Sequence, residues 1–262
     1  MVAKQNKVAI LYICTGKYVV FWEEFYRSFE QNFLNKSHVE YFVFTDADSL
    51  YGEDSCDRIH HIAQENLGWP GNTLFRFRMF VSIKDQLTDF DYVFFINANA
   101  VCKAEITEEE FLPVEQDLLV VQHPGYYNAK VWRLPYERRK DSAAYIPRGK
   151  GGNYVYGAVN GGKAKAFLRM AEQLDSEIEQ DYQKGMIAKW HDESHLNHYI
   201  WKQGNYKLMP PSYAYPENYY LPFEMKIMTQ NKSSKIELDQ NKLQELRDRS
   251  IKGRILKIFS RK

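Results

Sequence analysis

Two pairs of polar residues at candidate strand ends could bind a metal ion. Asp46 and Asp48 follow Phe44-Thr45, and Asn97 and Asn99 follow the most hydrophobic stretch of the chain. Two carboxylates after a strand can hold a divalent cation on a diphosphate, whereas uncharged amides are poor ligands for a hard cation. The residue types alone therefore favour Asp46 and Asp48 as a metal pair, with an ordinary Asp-rich turn as the alternative.

A second cluster that could do chemistry is Trp190-His191-Asp192-Glu193-Ser194-His195-Leu196-Asn197. Adjacent carboxylates at a helix start are stabilised by the helix dipole and often only cap the helix. Capping accounts for one carboxylate, but not for two beside a tryptophan and a histidine. A zinc site is the other alternative, but the HExxH spacing is absent; its ligands would be His191, Glu193, His195 and His198.

Alternating strands and helices must position these residues. The apolar run Val8–Cys14 is typical of a buried strand, and aromatic residues from Phe21 to Phe33 recur at helical spacing. Further strands are predicted at 41–45, 58–62, 91–96 and 117–121, and further helices at 75–87, 164–184 and 190–204. This alternation predicts an α/β fold with a mostly parallel sheet. Ligands of such sheets bind beyond the carboxyl ends of strands, so residues 15–18 and 97–99 are expected to line one crevice.

The stretch from His123 to Gly162 is rich in Tyr, Pro and Gly, and long loops of this kind usually build sites. Within it, Gly157–Gly162 predicts backbone that closely approaches its neighbours. From Lys226 onward the chain loses aromatic residues and gains charge. No internal repeat occurs, and the predicted domains are 1–224 and a C-terminal segment, 225–262.

Composition excludes several classes of protein. The 262 residues carry a formal net charge of +1, so nothing global attracts nucleic acid. A hydrophobic content of 44% fits neither a disordered chain nor a membrane protein. Three widely spaced cysteines argue against a disulfide framework. The aromatic content of 15% is high, which either sugar or nucleobase sites or core packing would explain.

Four motifs resemble one enzyme family, in the same order: His123-Pro124-Gly125, the Pro-Tyr-Glu-Arg-Arg of 135–139, the Ala-Tyr-Ile-Pro of 144–147, and Trp190–Asn197. Over most of residues 8–220 the chain resembles glycosyltransferase family 6, which includes the blood-group A and B transferases and the α-1,3-galactosyltransferase. The resemblance implies a GT-A type fold: a single nucleotide-sugar-binding domain whose mixed, mostly parallel sheet is flanked by helices. Family members typically carry Asp-Val-Asp where this chain has Asn97-Ala98-Asn99. That departure resembles bacterial members, which lack the membrane anchor and do not need metal.

The resemblance implies a UDP-sugar donor. Ile13, Thr15 and Tyr18 match the residues that hold uridine, with Tyr18 expected to stack on the base. Arg78 matches an arginine near the donor sugar and diphosphate. The other residues that the resemblance assigns to the donor are Asn97, Asn99, Tyr156, Gly157, Ala158, Asp192, Lys232 and Lys235.

The resemblance also implies an oligosaccharide acceptor and a catalytic carboxylate. His123 matches a residue that contacts the acceptor galactose, and Trp190 matches an apolar platform for the acceptor. Asp192 matches a residue that binds donor-sugar hydroxyls, and Glu193 matches the catalytic carboxylate.

In the family, the segment matching Tyr156-Gly157-Ala158 sets donor choice, and its two small residues leave room for an acetamido group. No metal or other cofactor is expected, so cations of the C-terminal segment, which closes over the nucleotide in the family, must neutralise the leaving diphosphate. Lys232 and Lys235 are the predicted cations, with Lys226 in reserve.

The predicted function is a metal-independent, retaining α-1,3-N-acetylgalactosaminyltransferase that moves GalNAc from UDP-GalNAc to O3 of a 2'-fucosylated β-galactoside. The alternatives are an α-1,3-galactosyltransferase that uses UDP-Gal and a non-catalytic glycan-binding module. The start of the chain lacks a signal-peptide pattern, which predicts a cytoplasmic protein, peripheral to the inner membrane if the basic end Lys252–Lys262 touches an anionic surface. A solvated terminus is the alternative for that end.

Overall fold

The computed structural model describes residues 5–236, which form a mixed α/β structure. The strands are β1 (Lys7–Ile13), β2 (His38–Thr45), β3 (Ile59–Ala63), β4 (Tyr92–Ile96), β5 (Ala100–Cys102), β6 (Leu118–Gln122), β7 (Val155–Lys163), β8 (Tyr206–Met209), β9 (Tyr215–Pro216) and β10 (Ile227–Thr229). The α-helices are α1 (Trp22–Asn32), α2 (Gly68–Leu74), α3 (Arg76–Ser82), α4 (Glu108–Phe111), α5 (Ala164–Gln183) and α6 (His191–Gln203).

Seven strands form the main sheet, in the order β3-β2-β1-β4-β7-β6-β8. Four of its neighbouring pairs are parallel, and only β7 runs antiparallel to its neighbours β4 and β6. Consequently β1, β4 and β6 end at the edge of the sheet where β7 begins. The predicted mixed, mostly parallel α/β sheet flanked by helices is confirmed, and the loops after β1 and β4 share one edge. A smaller sheet has the order β5-β10-β9.

Most of the aromatic residues pack on the two faces of the main sheet. On one face, Trp22 and Phe25 of α1 lie against Tyr12 and Tyr41. On the other face, Phe80 of α3 contacts Phe95 and the α5 residue Phe167. Core packing therefore accounts for much of the aromatic content, and the rings that line loops are the ones left for binding.

Residues 155–163 form a full strand where close-approach backbone was predicted. A Cβ added at Gly161 would collide with the Phe94 ring and the Val93 carbonyl oxygen on β4, so only glycine fits there. Gly162 has a φ of +148°, and a Cβ added there would likewise collide with the Asp117 carbonyl oxygen. The predicted close approach is thus present, but glycine has a low strand propensity, which hid the strand in the sequence.

Helix 75–87 of the prediction is interrupted. Regular α-helix extends only over α3, and a 3-10 turn, Lys84–Leu87, follows. Ile83 between them has a ψ of 16°, which breaks the helical hydrogen-bond pattern.

The chain divides into two units, Met1–Gln230 and Asn231–Lys262. Strand β10 pairs with β5 and so belongs to the first unit. In the second unit, the described residues form a 3-10 turn, Lys232–Ser234. The basic end Lys252–Lys262 lies outside the described residues. In the part of the chain that is described, no helix is long and apolar enough to cross a membrane.

Candidate active site

A bulge in β7 organises the site. Opposite β6, the pairing jumps from Asn160 to Tyr156, so residues 157–159 have no partner there. The Gly157 peptide group is therefore released from the ladder. Its carbonyl oxygen accepts from Arg76 (2.9 Å) and from the Asn160 amide (3.0 Å). Its N–H donates to the carboxylate of Glu193 at 2.9 Å.

Glu193 is fixed by two donors at the edge where β1, β4 and β6 end. Besides the Gly157 N–H, the Tyr154 hydroxyl donates to the other carboxylate oxygen at 2.7 Å. Burial raises the pKa of Glu193 to about 7, against the lowering effect of both donors. The residue remains partly exposed, and the two donors fix the orientation of its carboxylate.

Asn197, one turn after Glu193, holds α6 against the start of β7. Its amide oxygen accepts the Val155 N–H, and its amide nitrogen donates to the Val155 carbonyl, both at 2.9 Å. Glu193 and Asn197 thus lie on one face of α6 and satisfy polar groups of alternate residues of β7. This contact explains the spacing of the Glu-Ser-His-Leu-Asn segment.

Asp192 is 1% exposed and lies beside Arg76. The Nε of Arg76 is 3.0 Å from a carboxylate oxygen of Asp192, but their alignment is too poor for a hydrogen bond. Burial raises the pKa of Asp192 to about 6, although Arg76 opposes that shift. The preceding His191 adopts a left-handed φ of +50°, which is uncommon for a residue other than glycine. This turn sets the direction in which Asp192 and Glu193 extend.

Aromatic rings surround His123 near Glu193. Its ring lies 4.8 Å from Tyr156, 4.9 Å from Tyr126 and 5.7 Å from Tyr154. Burial lowers the pKa of His123 to about 4, so the ring is neutral near pH 7. Its Nδ1 accepts the Gly125 N–H, which assigns the proton to Nε2 and makes that atom a donor. The predicted acceptor residue His123 and the predicted donor residue Tyr156 therefore belong to one cluster.

The Pro-Tyr-Glu-Arg-Arg segment anchors the approach to α6. The buried carboxylate of Glu137 accepts from the backbone N–H groups of Arg138, Arg139 and Lys189, the last at 2.8 Å. The guanidinium of Arg139 adds two further hydrogen bonds. Burial alone would raise the pKa of Glu137, but these donors outweigh it and lower the pKa to about 2.

His195 and His198 lie beside carboxylates rather than around a common centre. Buried His195 is 3.8 Å from Glu177 and 3.7 Å from Asp181, both on α5, and His198 is 3.8 Å from Glu177. Among residues 5–236, no group of three or more His, Cys, Asp or Glu side chains could hold a metal ion. The zinc alternative drawn from these histidines therefore has no supporting geometry in that range.

The Asn97-Ala98-Asn99 turn is held together by its own amides. Asn97 donates to the side-chain oxygen of Asn99 at 2.8 Å, and the Asn99 amide donates to the Gln230 carbonyl at 2.6 Å. Two carboxylates at these positions would repel each other without a cation between them, whereas two amides bond directly. The residues of this turn therefore do not fit a divalent metal.

The loop after β1 shares the edge with this turn, because the Tyr12 hydroxyl donates to the Ala98 carbonyl at 2.9 Å. Thr15 is buried, while Ile13 and Tyr18 are partly exposed. Asp46, one of the two candidate metal ligands, accepts the Gly16 N–H at 2.6 Å and so joins the loop after β2 to the loop after β1.

Arg78 does not lie at the site where it was predicted. Its guanidinium pairs with Asp175 and Glu179 on α5 and stacks over Phe75. Arg76, two residues earlier and buried, contacts Gly157 and Asp192 instead. Residues two apart on a helix point in different directions, so only one of the two arginines can face the sheet edge. The structure thus brings Arg76 to this edge and pairs Arg78 with α5, and the donor role of Arg78 stays a prediction.

Sequence reasoning also missed Tyr154, whose alternation with Tyr156 places both rings near His123.

The remaining predicted residues lie in several places. Trp190 is 47% exposed directly before α6, as a platform requires, and its role stays a prediction. Ala158 is buried, and its carbonyl accepts the Asn97 N–H. Lys226 contacts Glu110 and Glu224. Lys232 and Lys235 belong to the second unit, and their roles stay predictions.

A mixed α/β sheet with a fixed, partly buried carboxylate at the edge where its parallel strands end is typical of sugar-nucleotide transferases. The chain belongs to glycosyltransferase family 6, because the family model matches residues 2–243. The protein is thus a glycosyltransferase from a family of retaining hexosyltransferases.

Three relatives support this assignment. The chain is 39% identical to the O-antigen biosynthesis glycosyltransferase WbnI of Escherichia coli, over 86% of this chain and 94% of that protein. It is 29% identical to globoside alpha-1,3-N-acetylgalactosaminyltransferase 1 of Gallus gallus, over 83% of this chain. It is 27% identical to histo-blood group ABO system transferase 1 of Rattus norvegicus, over 82% of this chain. The chain spans 64% and 62% of the length of these two animal proteins.

Glu137→Gln is expected to destabilise the fold by about 2 kcal/mol at pH 7, because it removes a buried charge with several donors. The pKa of Glu137 is about 2 in the folded protein, against an ordinary 4.5. Its contribution is therefore fully present above about pH 4.5 and is lost as the pH falls towards 2. Urea unfolding at pH 7, 4 and 3 should show the difference from wild type shrinking. The exposed Glu115→Gln is the matched control, and a difference independent of pH would contradict this role.

Proposed function

We propose that the chain is a retaining α-1,3-N-acetylgalactosaminyltransferase that moves GalNAc from UDP-GalNAc to O3 of a β-galactoside. The observation that carries this proposal is the Glu193 carboxylate, partly exposed and held by the Tyr154 hydroxyl and the Gly157 N–H. A preoriented carboxylate is what a donor sugar needs when positive charge develops at its anomeric carbon.

Glu193 would act on the face of the sugar opposite to UDP. It either attacks the anomeric carbon, releasing UDP and forming a glycosyl-enzyme that the acceptor O3 then opens, or stays an ion-pair partner of the oxocarbenium ion while O3 attacks from the UDP side. Both routes retain the anomeric configuration, and both require the ionised carboxylate. The two hydrogen-bond donors favour that ionised form against burial.

The donor would bind across the ends of β1 and β4. Ile13, Thr15 and Tyr18 follow β1, and that loop lies beside the Asn97-Ala98-Asn99 turn through the Tyr12 hydroxyl. Uridine bound at this loop would direct its sugar towards Glu193. Asp192 is enclosed, so contact between its carboxylate and a sugar hydroxyl requires the covering side chains to move.

The identity of the transferred sugar rests on Gly157 and Ala158. Both are small, which leaves room for an acetamido group, and the Gallus gallus relative is named as an N-acetylgalactosaminyltransferase. Transfer of Gal from UDP-Gal is the alternative. A 2'-fucosylated acceptor is proposed because the Rattus norvegicus relative is named for the histo-blood group ABO system.

We propose metal-independence because the amide pair at the β4 end offers no anionic ligand. The two or so negative charges of the leaving diphosphate would then be neutralised by side-chain cations, for which Lys232 and Lys235 remain the candidates. A glycan-binding module without turnover is the rival function. The two donors that orient Glu193 count against it, because binding alone does not need a fixed carboxylate at this point.

Incubation with UDP-GalNAc and 2'-fucosyllactose should give a tetrasaccharide with GalNAc α-linked to O3 of galactose, identified by mass spectrometry and NMR. UDP-Gal in competition tests the donor, and lactose tests the need for fucose. Product formed from UDP-Gal but not from UDP-GalNAc would show that UDP-Gal is the donor. The absence of product with any β-galactoside would overturn the proposed function.

Glu193→Gln should lower kcat by about 10² to 10³, or about 3 to 4 kcal/mol, because the developing positive charge loses its partner. Affinity for UDP should change little. The kcat/KM of the wild type should fall as the pH drops through about 7, where Glu193 becomes protonated. This acid limb should be absent from the variant.

Two further variants sharpen the test of Glu193. Tyr154→Phe removes a donor that lowers the Glu193 pKa, so the acid limb should move to higher pH. Asp192→Asn should weaken donor recognition as well as rate. Retention of more than about a tenth of wild-type kcat by Glu193→Gln would show that this carboxylate is not catalytic.

Turnover should persist in excess EDTA and should not rise on addition of manganese. Asp46→Asn and Asp48→Asn should retain this behaviour, because Asp46 accepts the Gly16 N–H and neither residue belongs to a group of three or more possible metal ligands among the described residues. Loss of activity on chelation that manganese restores in the wild type, but not in these variants, would instead support a metal site at Asp46 and Asp48.

A further inference from the structure

An open cavity of about 850 Å³ lies in the segment that follows His123. It is lined by Gly125, Tyr126, Asn128, Ala129, Lys130, Trp132 and Arg133. Its volume is in the range of sites that bind drug-sized molecules and is sufficient for one or two sugar rings. None of the residues assigned to the donor lines it.

Trp132 provides an aromatic surface in this cavity. Its side chain is 68% exposed, and the guanidinium of Arg133 lies 4.7 Å from its ring centroid. An indole held beside a guanidinium offers an apolar surface for the C–H face of a sugar ring, with hydrogen-bond donors next to it. The exposed apolar surface of the indole is in contact with water, so a ligand ring that covers it would gain hydrophobic free energy.

The cavity is positively charged. Lys130 and Arg133 line it, and no lining residue is acidic. Within the structure described for residues 5–236, neither cation forms an ion pair with a carboxylate. A guanidinium that is stacked on a ring still presents N–H groups at its edge, in the fork that matches a carboxylate or a phosphate.

One lining residue of the cavity contacts the predicted acceptor residue His123. Tyr126, which lines it, lies 4.9 Å from His123 and 5.3 Å from Tyr154, and the Tyr154 hydroxyl donates to Glu193. In a β-galactoside, O3 and the C1 substituent are both equatorial on ring carbons separated by C2, so they leave the ring in divergent directions. A galactoside with O3 near the Glu193 site and its ring against His123 can therefore extend its C1 substituent away from Glu193, towards Tyr126.

We propose that this cavity is an aglycone subsite that binds an anionic group, a carboxylate or a phosphate, carried on the C1 side of the acceptor galactoside. Trp132 contacts the aglycone ring, and Lys130 and Arg133 bind the anion. This inference rests on the proposed function, because it uses the acceptor orientation that places O3 at Glu193. It extends that function by making the aglycone part of acceptor recognition.

Three 2-O-fucosylated β-galactosides that differ only in the aglycone, which is phenyl, 4-carboxyphenyl or 4-phosphophenyl, test the subsite with UDP-GalNAc saturating; they are called phenyl galactoside and the two anionic acceptors below. The wild type should use the anionic acceptors with a KM about threefold to tenfold lower and an unchanged kcat, and 0.5 M NaCl should reduce the difference. An equally lowered KM for both anionic acceptors indicates a generic anion site. A lowered KM for the phosphate acceptor alone indicates a phosphorylated acceptor.

Variants assign the effect to the cavity. Arg133→Gln with Lys130→Gln should abolish the preference for anions and leave phenyl galactoside unchanged, whereas Trp132→Ala should raise KM for all three acceptors. Lys165→Gln, an exposed lysine on α5, is the matched control and should retain the preference. Equal use of the three acceptors by the wild type, or a preference that survives the double substitution, overturns the subsite.

Phenyl galactoside distinguishes a failure of the proposed function from a failure of the subsite, because its turnover does not depend on Lys130 and Arg133. If no galactoside is turned over, saturation-transfer NMR of the three compounds still tests the cavity. Binding of the anionic compounds that is lost in the double variant supports the subsite, and binding unaffected by that substitution overturns it.

Discussion

The peptide group of Gly157 is the point on which the site depends. The N–H and C=O groups of a strand in the middle of a sheet ordinarily form hydrogen bonds with the neighbouring strands. A buried N–H or C=O group without a hydrogen bond costs free energy. The bulge opposite β6 frees this one, and three elements then satisfy it: α3 through Arg76, α6 through Glu193, and β7 itself through Asn160. The same hydrogen bonds that remove the cost of the bulge bring Arg76 and Glu193 to one edge.

Two adjacent carboxylates in this setting divide the available stabilisation unequally. Glu193 receives two well-aligned donors, whereas Asp192 has only a poorly aligned guanidinium beside it. Burial raises the pKa of both carboxyls, that of Asp192 to about 6 and that of Glu193 to about 7. A carboxylate that is oriented but only weakly stabilised as an anion can still interact strongly with a positively charged sugar. The charge of a surface-exposed glutamate would instead be stabilised by water.

The framework was predictable where local pattern decides structure. Val8–Cys14 gave β1 because apolar, partly β-branched runs bury well in a parallel sheet, and the aromatic period from Phe21 gave α1. Prediction failed where long-range contact decides. Nothing local marks β7 as a strand, since Gly161 is required by β4 across the ladder and Gly162 by the Asp117 carbonyl before β6. Arg76 and Arg78 are equivalent in sequence, and the position of the sheet relative to α3 alone distinguishes them. The motif Trp190–Asn197 predicted the place of Glu193, but not Tyr154 as its donor.

The absence of a side chain at Gly157 has a consequence for how this enzyme could change over evolutionary time. A Cβ there would lie 3.3 Å from the Cβ of Glu193 and 3.4 Å from its carboxylate oxygen. A mutation that narrowed the space for the transferred sugar at this position would also push on Glu193. Substitutions at Gly157 should therefore show epistasis with those at Tyr154, which donates to the same carboxylate, and at Arg76, which donates to the Gly157 carbonyl. Drift of donor preference is freer at the flanking Tyr156 and Ala158, where a new side chain need not displace the carboxylate.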